Sequence, residues 1–220
     1  MFYLKIIKEL NKHKVEYLVV GGIATNLYGV SRLTLDIDLM ADIKKENFDR
    51  IFTAMKDLKY KVYKSLKVDK MEFVNGCAKL EGWKGSTIIF YNPKDELERV
   101  DLFTKNPIIF EEAYKKRETR IVEGVKVPLI SFNDLLKMKE IAGREKDPRD
   151  LGYLKMARSG YGKKRKGYRL TKEDKDYLKW CSKLTDSQRL KWLEEANRFI
   201  YKACSPKIWK MRMLSRERGW

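Results

Sequence analysis

Val19-Val20-Gly21-Gly22-Ile23-Ala24, followed by Arg32-Leu33-Thr34-Leu35-Asp36-Ile37-Asp38-Leu39, decides the fold of this chain. The apolar run Tyr17–Val20 predicts a short buried strand. It ends at a glycine pair. Without Cβ atoms the backbone turns sharply there, and an anion can approach the amide nitrogens. Residues 23–28 carry helical periodicity that stops at Gly29. A turn that opens a helix offers N–H groups to an anion. Residues 35–39 alternate strictly, so Leu35, Ile37 and Leu39 face one way and Thr34, Asp36 and Asp38 the other. Two carboxylates on one strand face repel each other unless a cation lies between them. Hard oxygen donors of this kind suit Mg²⁺. Alone, a glycine pair is a turn and Asp-x-Asp a solvated face. In the order strand, glycine pair, helix, strand, they set a phosphate cradle beside a metal site.

This constellation resembles the nucleotidyltransferase superfamily that includes DNA polymerase β. Within it, the chain is most similar to the group containing the AbiEii-type toxin enzymes. That group has Gly-Gly or Gly-Ser, then Arg-x-Thr/Ser, then Asp-x-Asp, matched here by Gly21-Gly22, Arg32, Thr34, Asp36 and Asp38. Its third carboxylate, on a neighbouring strand, corresponds to Asp101 in Arg99-Val100-Asp101-Leu102-Phe103. A later helix with a lysine, then Arg-x-Lys-Asp-x-x-Asp, matches Lys139, Arg144, Lys146, Asp147 and Asp150.

The resemblance covers roughly residues 3–156. It implies an α/β (α+β) nucleotidyltransferase fold, a mixed sheet flanked by helices, with a C-terminal helical region. It also implies Mg²⁺- or Mn²⁺-dependent transfer of a nucleotide from an NTP. On that reading Asp36 and Asp38 hold both ions. Asp101 completes one site and draws the proton from the acceptor. The amides of Gly21, Gly22 and the residues after them take the β- and γ-phosphates. Arg32 and Thr34 touch the triphosphate or brace the loop. Lys139 neutralises charge on the transferred phosphate. Arg144, Asp147 and Asp150 either join the site or tie two helices together through an Asp–Arg network. Many superfamily members carry Gly-Ser where this chain has Gly21-Gly22, so phosphate binding here rests on backbone amides.

Bulk properties narrow the partners. The formal charge of +18 calls for an anionic partner. Residues 155–220 hold 20 Lys and Arg against 7 Asp and Glu, so the C-terminal third carries most of the excess. Three cysteines, Cys77, Cys181 and Cys204, show no paired spacing, which points to a reducing cytoplasm. No stretch is long and apolar enough to span a bilayer. His13 is the only histidine and reads as a charge at a helix C-terminus. Histidine catalysis and histidine metal clusters are set aside on that ground.

The organisation read from the pattern is a nucleotidyltransferase-fold domain over 1–157, a basic Gly-rich linker over 158–169, and a helical region over 170–220. Residues 2–13 predict an amphipathic helix, and Asp42 is placed as the cap of another over 44–58. Residues 60–90 read as strands broken by Gly76, Gly82 and Gly85, with Trp83 in a loop. A hairpin turned at Glu123-Gly124 ends at Pro128. Ser131 caps a helix to Ala142, and Asp147-Pro148 begins another. The run Lys163-Lys164-Arg165-Lys166 is a solvated connector or a phosphate-backbone contact. Thr171 and Thr185 begin two helices, the second through a capping box with Gln188. Leu190, Leu193, Phe199 and Ile200 form its apolar side, and Trp180, Trp192 and Trp209 pack the C-terminal helices.

Two functional classes stay open. One is an enzyme acting on the 3′ end of a tRNA, a protein hydroxyl or a small molecule such as an aminoglycoside, with a cognate antitoxin as partner if it is toxin-like. The other is a module that binds nucleotide or RNA without turnover.

Overall fold

The computed structural model describes residues 1–63, 71–74, 77–79, 87–143, 147–159 and 171–205. The readings at Gly76, Gly82, Trp83, Gly85, Arg144, the 163–166 basic run and Trp209 lie outside the described residues.

The described chain is a mixed seven-stranded sheet with helices, of order β3-β6-β7-β2-β1-β9-β8, plus a two-stranded sheet β4-β5. The strands are β1 Tyr17–Val20, β2 Asp36–Ala41, β3 Lys61–Val62, β4 Glu72–Val74, β5 Cys77–Lys79, β6 Thr87–Asn92, β7 Asp95–Phe103, β8 Glu118–Val122 and β9 Val125–Leu129. The helices are α1 Phe2–Lys12, α2 Gly21–Leu27, α3 Lys45–Asp57, α4 Phe110–Lys115, α5 Phe132–Ala142, α6 Asp147–Ser159, α7 Lys172–Ser182 and α8 Asp186–Ala203. This is the α/β class expected from the sequence.

β1 is buried along its whole length and pairs antiparallel with β2, with Val20 opposite Asp38. β2 pairs parallel with β7. The apolar residues of these strands, Ile37, Leu39, Val100 and Leu102, are fully buried, as their alternation requires. α2 packs on β1 and β2 and is covered by α5 and α8, while α1 packs on β9 and α3. One hydrophobic core runs from Phe2 through the sheet to Leu190 and Leu193 of α8. The helical C-terminal region is thus seated on the sheet domain.

Local details depart from the sequence pattern in four places. The glycine pair forms the first two residues of α2 rather than a turn before it. The α3 cap is Lys44, not Asp42; Asp42 instead ion-pairs with Lys44 at 2.8 Å, and its carbonyl accepts from Asn47 Nδ2. Pro128 does not end β9, which continues to Leu129. The Ile130 N–H donates to the Val19 carbonyl, so the amide position two residues earlier also points to β1. Pairing with β1 is registered only at Leu129, after the N–H that proline lacks. Phe199 is 73% exposed, so it lies off the buried face of α8. The capping boxes at Thr171–Asp174 and Thr185–Gln188 are both formed. Ser131 caps α5 by accepting from the Asp134 amide.

Candidate active site

The site is built on the centre of the sheet, where β2 lies between β1 and β7. In the parallel register, Asp38 stands opposite Asp101 and Asp36 opposite Arg99. Laterally paired residues point to the same face. Asp36, Asp38, Asp101 and Arg99 therefore share one face, away from the core side chains Ile37 and Val100. The three acidic residues expected to converge do converge. Arg99 was not singled out from the sequence; only the register places it beside them. Its guanidinium lies 5.8 Å from the Tyr63 ring centroid.

The glycine pair lies directly against these carboxylates. Gly21 has φ of +60°, and a Cβ built there would fall 1.9 Å from Asp38 Oδ2. The Gly22 N–H donates to the same Asp38 oxygen at 3.2 Å. A Cβ on Gly22 would meet Thr34 Cβ and Oγ1 at 2.5 Å. The Thr34 hydroxyl donates to Asp36 Oδ1 at 2.6 Å. Close approach by backbone, not a serine hydroxyl at position 22, thus brings the turn to the acidic face. α2 fastens the turn from within: Thr25 Oγ1 donates to the Gly21 carbonyl at 2.9 Å, and Asn26 Nδ2 to the Gly22 carbonyl at 3.0 Å.

A second network joins the loop before β2 to α5 and α6. Asp150 Oδ2 accepts from Arg32 Nη1 and also from Lys139 Nζ, the latter at 2.7 Å. Lys139 and Asp150 are both buried, 3% and 6% exposed. A buried lysine is stable as a cation only when paired in this way. One aspartate on α6 therefore holds the loop arginine and the α5 lysine together. Asp147 begins α6, so its backbone lies three residues before Asp150.

One further residue contacts the loop 30–35, and it was not read from the sequence as functional. Asn197 on α8 donates from Nδ2 to the Thr34 carbonyl at 2.6 Å. The same nitrogen lies 3.3 Å from the Tyr3 hydroxyl of α1. Burial pushes the Tyr3 phenol well above its ordinary range, the Asn197 bond works against that, and the charge of Asp36 adds to it.

The donor set at Asp36, Asp38 and Asp101 is all oxygen and lies beside a backbone with no Cβ to obstruct a ligand. It fits a hard divalent cation such as Mg²⁺. A different acidic group forms elsewhere. Donor atoms of Glu9, His13 and Asp57 all lie within 4.8 Å of one another. His13 Nε2 lies 2.9 Å from Asp57 Oδ2, which ties the end of α1 to that of α3. Lys12 also pairs with Glu9 at 2.6 Å, so this group is read as an ion-pair network.

A family model described as "Nucleotidyltransferase of unknown function (DUF6036)" matches residues 3–158. The chain belongs to this nucleotidyltransferase family. The matched segment holds Gly21, Gly22, Asp36, Asp38, Asp101, Lys139 and Asp150, and it ends before α7 and α8. Three solved structures are similar to this chain. The lincosamide antibiotic adenylyltransferase LnuA, lincomycin-bound, is 17% identical over 71% of this chain and 96% of its own, with a TM-score of 0.48. A Thermotoga maritima protein assigned to the nucleotidyltransferases is 19% identical over 67% of this chain and 86% of its own, at 0.45. The antibiotic-resistance factor ANT(2'')-Ia is 14% identical over 90% of this chain and 97% of its own, at 0.45. No curated protein matches the chain. Among the described residues no helix is long and apolar enough to cross a membrane.

Proposed function

We propose that this protein is a divalent-metal-dependent enzyme that transfers a nucleoside monophosphate from an NTP to an anionic acceptor, RNA. The observation that carries the reading is the register that sets Asp101 opposite Asp38, on the face that also bears Asp36, against the Gly21-Gly22 backbone. Three carboxylates at one place are costly without a cation.

In this reading Asp36, Asp38 and Asp101 would hold Mg²⁺. The metal, when bound, supplies charge stabilisation for the triphosphate and activates the attacking oxygen. The protein's own groups do the rest. Asp101 takes the proton of the acceptor hydroxyl as that oxygen bonds to the α-phosphorus and pyrophosphate leaves. Backbone amides at the start of α2 receive phosphate oxygens. Lys139, held by Asp150, places a fixed positive charge beside the transferred phosphoryl group. Arg32 is braced by the same Asp150, so it presents its charge from a fixed loop. Thr34 orients the Asp36 carboxylate through its hydroxyl.

RNA is favoured as acceptor by charge. On α7, Lys172, Lys175 and Lys179, with Lys183 after the helix, are exposed at spacings that keep them on one side. They continue the basic excess of the C-terminal third. The relation to AbiEii-type toxins, with a small antitoxin as partner, belongs to this proposal and rests on the motif blocks alone.

Calorimetry with each NTP, with and without Mg²⁺, tests the donor half of the reading. Labelled NTP incubated with total RNA tests the acceptor half. Binding with no label transfer to any RNA would favour the non-catalytic nucleotide-binding module. Transfer only to protein or to a small molecule would leave the chemistry standing and overturn the RNA assignment. Replacing the four bases at 163–166 by Ala should flatten the salt dependence of RNA binding while sparing NTP binding.

A further inference from the structure

We infer that Asn197 is a positioning residue: from α8 it fixes the loop that carries Thr34 into the carboxylate face, and so sets metal and nucleotide affinity. The inference rests on the nucleotidyl-transfer reading above. It adds to the site a residue that lies beyond the matched family segment, which ends at 158.

Residues 30–34 have no regular secondary structure, so no ladder of backbone bonds holds them. Two asparagine amides hold them instead. Asn26 Nδ2 donates to the Arg32 carbonyl at 2.8 Å, and Asn197 Nδ2 to the Thr34 carbonyl at 2.6 Å. The two carbonyls are two residues apart in the chain, and they are grasped by different helices. From Thr34 the connection continues through its hydroxyl to Asp36 Oδ1. A side chain on α8 is therefore two hydrogen bonds from a metal-site carboxylate.

The path is buried. Tyr3, Thr34 and Asn197 are 0%, 2% and 4% exposed. In such a place an amide satisfied on its acceptors sets one geometry, and its loss leaves a carbonyl without its donor. A carboxamide NH₂ has two hydrogens, and the Thr34 carbonyl and the Tyr3 hydroxyl give each an acceptor.

Asn197 is not required to seat the helix. Leu190 and Leu193 are fully buried in the core. Glu194 Oε2 accepts from the Phe2 amide at 3.2 Å, and Arg198 pairs with Asp95 on β7 at 3.1 Å. The seat of α8 and its grip on the loop are thus separable, and the test uses that separation.

Mg²⁺-dependent NTP affinity is measured by calorimetry on the full chain for wild type, Asn197→Ala, Tyr3→Phe and Arg198→Ala, each with its thermal midpoint. Asn197→Ala should weaken the Mg²⁺-dependent affinity about tenfold. Tyr3→Phe, which spares the Thr34 bond, should change it less than about twofold. Arg198→Ala loosens α8 at β7 and should lower the midpoint without changing affinity. If Asn197→Ala does not fold, Asn197→Ser, which keeps one donor, replaces it with an intermediate loss expected. Wild-type affinity in the Asn197 variant overturns the inference. So does an equal loss of affinity in Arg198→Ala, because the effect would then be helix docking alone. If wild-type protein binds no NTP with Mg²⁺, the nucleotidyl-transfer reading fails and this inference falls with it.

Discussion

Gly21 and Asp38 approach each other so closely that position 21 accepts no side chain: a Cβ there would lie 1.9 Å from Asp38 Oδ2 and 2.5 Å from its Cγ. Gly21→Ala must displace the carboxylate. It also places a methyl group on a residue at φ of +60°, which costs about 1 kcal/mol. The expected outcome is a lower thermal midpoint together with loss of Mg²⁺-dependent NTP binding. Calorimetry checks the second part, and full retention of binding would remove Asp38 from the metal site.

Gly22 and Thr34 form a matched pair, since a Cβ at 22 would meet Thr34 Cβ at 2.5 Å. Gly22→Ser, which installs the Gly-Ser of other superfamily members, should therefore destabilise this chain by about 1–3 kcal/mol. Adding Thr34→Gly, which removes the Cβ, Oγ1 and Cγ2 that the serine would meet, should recover part of that loss. The measurement is a double-mutant cycle by urea unfolding, and additive effects would contradict the pairing.

Asp38→Asn should abolish nucleotidyl transfer while the thermal midpoint holds or rises. The amide oxygen of asparagine can still accept from the Gly22 N–H, and removing one charge relieves repulsion with Asp36 and Asp101. Arg32 is paired with Asp150, and the substitution leaves that ion pair in place. A large fall in the midpoint would make Asp38 structural.

Asp150→Asn should be the most damaging of these changes to stability. It takes from Lys139, 3% exposed, the carboxylate that accepts from it at 2.7 Å, and it releases Arg32 as well. Breaking a buried pair from one side costs about 3–5 kcal/mol. Lys139→Met should cost less, because Asp150 keeps Arg32. Chemical denaturation of the two variants gives the order, and the reverse order would refute the shared-aspartate arrangement.

Acid should weaken the hold of α6 on α7. The Tyr153 hydroxyl donates to Asp174, and that bond keeps the Asp174 carboxyl below its ordinary value of 3.8. A depressed folded-state value stabilises above the unfolded value and is lost as pH falls through the folded one. Unfolding midpoints measured between pH 6 and pH 3 (values chosen as about two units above and one below the ordinary carboxylate range) should fall less steeply in Asp174→Asn than in wild type. Parallel profiles would count against the linkage.

The local half of the site was legible in the chain. The run at 17–20 and the alternation through Asp36 and Asp38 are short-range patterns, and each formed the expected strand, while the glycine pair opened α2 itself. Asp101 was reachable because Val100 and Leu102 bracket it in an alternating strand. What was not legible depends on how distant elements dock. Arg32 offered two roles, and only the position of α6 shows it held by Asp150. Arg99 gains meaning from the register of β7 on β2. Asn197 sits in a helix whose pattern announces an apolar face, with nothing in that pattern to mark one polar residue on it. Phe199 illustrates the converse, since periodicity supplies a stripe without its edge.

The parallel pairing of β2 with β7 has a consequence for how the site can fail. Asp38 and Asp101 are neighbours because backbone hydrogen bonds fix one register. Slippage by a single residue would turn Asp101 into the core and bring Val100 or Leu102 to the outer face. No intermediate spacing is available to a pleated strand. The carboxylate trio therefore assembles all at once or lacks a member. A partly misfolded chain holds a broken site rather than a weakened one, and its population should read as a missing fraction of binding sites at undiminished affinity.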